Sequence, residues 1–144
     1  MYERDTQELL NEIRQSNDIE KYFNTNSGEL MENTFSQYLN MLIDKSKMGK
    51  SKIIKESGIE RVYCYQIFNG EKHPSRNKIL ALIFALGAEI DEAQRLLYLG
   101  GVNKLYPRDK RDSIIIFAIE NKKTLNETDE MLFDKCLKTI TDPE

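Results

Sequence analysis

The sequence predicts an all-α protein. Apolar residues recur at three- and four-residue spacing, and prolines and glycines fall between the apolar runs. Helix-start patterns precede several of those runs. Prolines stand only at 74, 107 and 143, which leaves the apolar runs uninterrupted. The expected organisation is an acidic N-terminal helical arm (1–33), a five-helix core (34–101) and a C-terminal helix pair (102–144).

In the arm, Asp5 followed by Glu8 has the form of a capping box, and Leu9, Leu10 and Ile13 give a narrow stripe over 6–15. A short helix over 18–23 and a loop at 24–28 follow. Thr34-Phe35-Ser36-Gln37 repeats the capping-box form, and Phe35, Leu39, Leu42 and Ile43 carry a helix over 34–48 until Gly49 breaks it. Residues 50–57 make a short helix with Ile53 and Ile54 inward. Gly58 supplies the positive φ for a tight turn into a helix over 60–69, closed by Gly70. Pro74-Ser75 opens a helix over 75–86, whose broad stripe places it at the centre of the core. Asp91 is expected to cap the next one, over 91–99.

The tail echoes this last pair. Ile83-Phe84-Ala85-Leu86 and Leu96-Leu97-Tyr98 have counterparts in Ile116-Phe117-Ala118-Ile119 and Met131-Leu132-Phe133. General helix-pair periodicity accounts for the likeness. It nevertheless decides one element. Ser113-Ile114-Ile115-Ile116 has the β-branched content of a strand, but the match, with Pro107 at a first helical position, predicts a helix over 108–120. The last helix is expected over 126–139.

A content of 40 % hydrophobic and 31 % charged residues is that of a globular chain, and no apolar run is long enough to span a membrane. Met1-Tyr2-Glu3-Arg4-Asp5 lacks the apolar centre of a secretion signal, so the expected location is cytoplasmic. Cys64 and Cys136 read as small buried apolar residues in a reducing compartment. The net charge of −3 is unevenly spread. The arm carries −5, while residues 45–78 carry nine basic side chains against Glu56, Glu60 and Glu71. Such a local excess is the footprint of a polyanion-binding face, or a solvated lysine-rich helix surface.

A short helix, a glycine-bearing turn and a second helix with a polar outer face are the parts of a helix-turn-helix, and residues 49–70 contain all three. Three phrases extend the pattern: Lys50-Ser51-Lys52-Ile53-Ile54-Lys55-Glu56-Ser57-Gly58-Ile59, then Tyr65-Gln66-Ile67-Phe68-Asn69-Gly70-Glu71-Lys72-His73-Pro74-Ser75, then Ile79-Leu80-Ala81-Leu82-Ile83-Phe84-Ala85-Leu86-Gly87. In this order and spacing the chain resembles the lambda-repressor-like, or xenobiotic-response-element, family of bacterial and phage DNA-binding regulators. The likeness covers residues 34–99. Two positions depart from it: Ile54 stands where the family has alanine, and Lys50 where it has glutamine.

The resemblance implies sequence-specific binding of double-stranded DNA in transcription regulation. Lys50, Ser51 and Lys52 open a helix whose free N–H groups and dipole favour a phosphate. Arg61, Tyr63 and Gln66 are the expected base readers, with Val62 or Tyr63 against a thymine methyl. Tyr65, Asn69, Lys72 and Arg76 are expected on backbone phosphates, though Tyr63 and Tyr65 also fit as half-buried packing residues. A homodimer, and a protein partner at the acidic arm, are the further partners implied. A helical protein-interaction adaptor with little DNA affinity is the competing reading. No cofactor, metal or catalytic set is expected: His73 is the single histidine, set beside Pro74 in a loop, and no Cys/His spacing suits a metal.

Overall fold

The computed structural model describes residues 6–16, 18–21 and 34–143. The chain divides into two units, Met1–Asn33 and Thr34–Glu144. In the first, α1 (Thr6–Gln15) is amphipathic, with Leu10 and Ile13 exposed. Asp5 of the first start pattern, the end of the short helix at 22–23 and the loop at 24–28 lie outside the described residues.

The second unit contains α2 (Phe35–Ser46), α3 (Lys50–Ser57), α4 (Arg61–Phe68), α5 (Arg76–Leu86), α6 (Ile90–Leu99), α7 (Lys110–Glu120) and α8 (Leu125–Asp134). No strand occurs among the described residues, so the Ile114 run is helical as expected. α2 begins with the reciprocal cap: the Gln37 N–H donates to Thr34 Oγ1 at 3.2 Å, and the Thr34 N–H to Gln37 Oε1 at 2.9 Å. α5 is the central helix. Seven of its eleven residues are buried, and it packs against α2, α3, α6 and α8.

Several boundaries differ from expectation. α2 stops at Ser46 because Lys47 takes a left-handed φ of 58° and the Ser46 hydroxyl accepts from the Met48 N–H. Pro107 lies in a turn rather than in α7, which Asp109 caps by accepting from the Asp112 N–H. α6 starts earlier than Asp91 predicts. Glu89 is its cap, and the Glu89 N–H donates to Glu92 Oε1 at 2.9 Å. α8 ends at Asp134, short of 139, because the chain beyond it is claimed by Asp129. That carboxylate accepts from the Ile140 N–H at 2.6 Å, from the Thr141 N–H at 3.3 Å and from the Thr141 hydroxyl at 2.7 Å, while Ile140 is buried. Cys136, at a φ of 59° just past the helix, is therefore exposed; Cys64 is buried as expected.

The compact unit runs through residue 101 without a break. Gln94 of α6 clamps the chain beyond it, accepting from the Leu105 N–H at 2.7 Å and donating to the Leu105 carbonyl at 2.9 Å. Leu105, Ile115, Ile119, Leu125, Leu132 and Ile140 join the same buried cluster as the α2–α6 core.

Candidate nucleic-acid interface

The turn between α3 and α4 forms as its sequence dictates. Gly58 has a φ of 71°, and its N–H donates to the Ile54 carbonyl at 3.2 Å. Ser57, buried beside it, donates from its hydroxyl to the same carbonyl at 2.8 Å and accepts from the Ile59 N–H at 3.2 Å. Burial pushes the Cys64 thiol up to about 11 despite the Ser57 hydroxyl, so this thiol is a neutral packing group. Ile54 is buried, and α3 packs against α5, whose buried residues include the small side chains of Ala81 and Ala85.

α3 opens on Gly49, which has no side chain to occupy the first N–H groups. Lys50, Ser51 and Lys52 stand exposed around that end. The lack of a side-chain cap, the positive end of the helix dipole and two ammonium groups favour an anion there. The start of α4 differs. The Glu60 carboxylate fills it, accepting from the Val62 N–H at 2.7 Å and the Tyr63 N–H at 3.1 Å, so it offers no phosphate site.

The three expected base readers do not share a face. At about 100° per residue, exposed Val62, half-buried Gln66 and the exposed C-cap Asn69 lie along the outer edge of α4, and Arg61 and Tyr63 fall on opposite sides of it. Arg61 leans toward α3. Its Nη2 is 3.4 Å from Ser51 Oγ and its guanidinium carbon is 5.4 Å from the centre of the Tyr65 ring. Tyr63 is half-buried, with Lys78 Nζ 5.7 Å from its ring centre. Tyr65 packs edge-on against Phe68 at 5.8 Å, and Lys50 Nζ lies 5.8 Å from the Phe68 ring. Both tyrosines therefore have packing roles.

Arg76 is engaged inside the protein. Its Nη1 and Nη2 reach the two carboxylate oxygens of buried Asp112 at 3.1 and 2.9 Å. Its Nε donates to the Asn103 carbonyl at 2.9 Å and Nη2 also to the Lys104 carbonyl at 3.2 Å. With each guanidinium nitrogen occupied, Arg76 leaves the phosphate set. Lys72 and Asn69 remain exposed, as does His73.

Two further residues shape this face: Asn40, which sequence reasoning passed over, and Val62, which it set against a thymine methyl. Asn40 of α2 donates from Nδ2 to the Phe68 carbonyl at 2.8 Å, fixing the end of α4. Val62 is 63 % exposed at the middle of the outer edge, an apolar branched side chain set among polar ones. Its spacing of four from Gln66 was the signal available in the sequence. Among the described residues no three His, Cys, Asp or Glu side chains gather as a metal site, and no helix is long and apolar enough to cross a membrane. No family model, curated protein or solved structure matches the chain.

Proposed function

We propose that residues 34–101 are a lambda-repressor-like helix-turn-helix core that binds double-stranded DNA sequence-specifically. The chain is then a cytoplasmic transcription regulator of a prokaryote, acting as a homodimer on a near-palindromic site. The observation that carries this reading is the pairing of an α3 N-terminus that has no side-chain cap among the described residues with an outward edge on α4. The first, with Lys50, Ser51 and Lys52, suits a phosphate; the second, with Val62, Gln66 and Asn69, suits the floor of a major groove. Gln66 would read adenine and Val62 a thymine methyl, while Arg61, over Tyr65, reaches the groove rim. The basic excess over residues 45–78 supplies the long-range field.

The test is selection from a pool of random duplexes by the full-length protein, followed by titration of the enriched duplex at several salt concentrations. One motif should emerge. With Lys50, Lys52 and Lys72 on phosphates, the log–log salt slope should be roughly −3 per bound copy. An adaptor role is the second reading. Two observations favour it: Val62 is an apolar anchor open to solvent, and the Glu60 carboxylate sits at the start of α4. A pool returned without enrichment would transfer the α4 edge to that role, with the acidic arm as a second protein-binding segment.

A further inference from the structure

A pocket of about 170 Å³ opens where the C-terminal end of α5 meets the α7–α8 loop and Glu56 of α3. Its floor is apolar: Ile83, Ala88, Ile119 and Leu125 are buried there, and Phe84 forms a half-buried wall. An apolar cavity of roughly 150 Å³ takes one benzene ring, so this floor has room for a ring or a short branched chain.

The walls are preformed. The loop between α7 and α8 is held at one end by the Lys122 N–H on the Ile119 carbonyl at 3.2 Å and the Lys123 N–H on the Ala118 carbonyl at 2.9 Å. At its other end Thr124 and Glu127 exchange capping bonds at 2.9 and 3.1 Å. Those bonds fill the start of α8, so its N-terminus is not the attraction. At the α5 end, Gly87 turns the chain at a φ of 64°, and no atom lies within 4 Å of where a Cβ would stand.

The mouth has a charge preference. Lys122 and Lys123 both line it, against the single carboxylate of Glu56. Lys122 Nζ is 3.0 Å from Glu89 Oε1, but both side chains are more than half exposed, so this pair is readily exchanged for another anion. From the apolar floor and the cationic rim together, we infer that the pocket binds a small carboxylate with one aromatic ring or a short branched chain. The ring enters against Phe84 and Ile119, and the carboxylate remains at the rim beside Lys122 and Lys123. The ligand would bridge α3 and α5 to the C-terminal helix pair, since all three line the pocket. This assignment is independent of whether the α4 edge binds DNA.

Phenylacetate, phenylacetamide and acetate serve as probes, each titrated into isotope-labelled full-length protein and followed by amide NMR. Phenylacetate should give saturable shifts confined to residues 83–88 and 119–125 and to Glu56 of α3, at millimolar concentrations. Phenylacetamide should bind roughly threefold to fivefold more weakly, as expected for the loss of an exposed ion pair, and acetate should not saturate. The exposed double variant Lys122→Gln/Lys123→Gln should keep the ring-dependent shifts but bind phenylacetate and phenylacetamide alike. Equal binding of those two probes by the unaltered protein would overturn the assignment. So would shifts that are absent, spread over other helices, or reproduced by acetate.

Discussion

Asp112→Ala isolates the interaction that fastens the C-terminal helices to the core. The carboxylate is 8 % exposed and its partner guanidinium 24 % exposed, so the pair is largely removed from water. The carboxylate also accepts from the Tyr106 N–H at 3.0 Å. Removing it strands a charged guanidinium and a backbone donor together, for which a cost of about 3–5 kcal/mol is expected. Arg76→Met, which keeps the length of the side chain, strands the carboxylate instead and should cost a similar amount. The double variant Arg76→Met/Asp112→Ala leaves neither charge unpaired and should cost much less than the two single losses together. Urea unfolding of the full-length protein, followed by circular dichroism, measures all four corners of the cycle. A loss under about 1 kcal/mol for Asp112→Ala, with additive single effects, would mean that the pair is solvated like an ordinary surface bridge. The Arg76→Met protein serves a second purpose. Its salt slope on DNA should equal that of the unaltered protein, and a slope flattened by about one would return Arg76 to the phosphate set.

Replacing both Lys50 and Lys52 by alanine should weaken binding to every duplex alike and flatten the salt slope by about one per lost phosphate contact, as read by titration at several salt concentrations. Gly58→Ala meets open space but must hold a φ of 71°, so thermal unfolding should register a loss of about 1 kcal/mol from backbone strain alone. Partial burial pushes the Glu92 carboxyl up, yet the Lys45 ammonium at 2.7 Å and the Glu89 N–H outweigh it and hold its pKa below the ordinary glutamate range. A depressed pKa contributes stability that is present above the unfolded value, about 4.3, and lost as pH falls through the folded one. Glu92→Gln should therefore be less stable than the unaltered protein near neutrality, with the gap closing in urea unfolding as pH drops below about 4.

What the sequence discloses here is local, and what it conceals is remote. The Thr34–Gln37 cap, the Gly58 turn and the central stripe of α5 each depend on residues within a turn or two, and each forms as read. The helix at Ile114 was legible from its likeness to the Ile83 segment. Arg76 was not, because the run of basic residues around it suggests solvent, while its carboxylate lies 36 positions further on. The end of α8 is similar: Asp129 takes the backbone eleven and twelve residues ahead, and no propensity within 135–139 announces it. The phases of Arg61 and Tyr63 were legible and missed. Two residues apart on a helix cannot share an edge, whereas Val62 and Gln66 must.

The packing of the tail also changes the grounds for expecting a dimer. A C-terminal pair standing apart from the core would leave apolar surface in need of a partner. Instead, Ile115, Ile119, Leu125 and Leu132 are buried in the common cluster, and α8 covers part of α5. Among the described residues of this unit, the exposed large apolar side chains include Met41, Val62, Tyr98, Tyr106, Phe117 and Phe133, distributed over α2, α4, α6, α7, α8 and the segment before α7. Single exposed side chains of this kind are ordinary on a monomer. On the proposed DNA-binding function, what remains in favour of two copies is the symmetry of a near-palindromic site, which two recognition helices one helical turn apart would read. The dimer should therefore be assembled on its site. Sedimentation of the full-length protein is expected to give a monomer at micromolar concentration without DNA, and two copies per enriched duplex. A stable dimer without DNA would refute this, and would mean that the free protein already carries a self-associating surface.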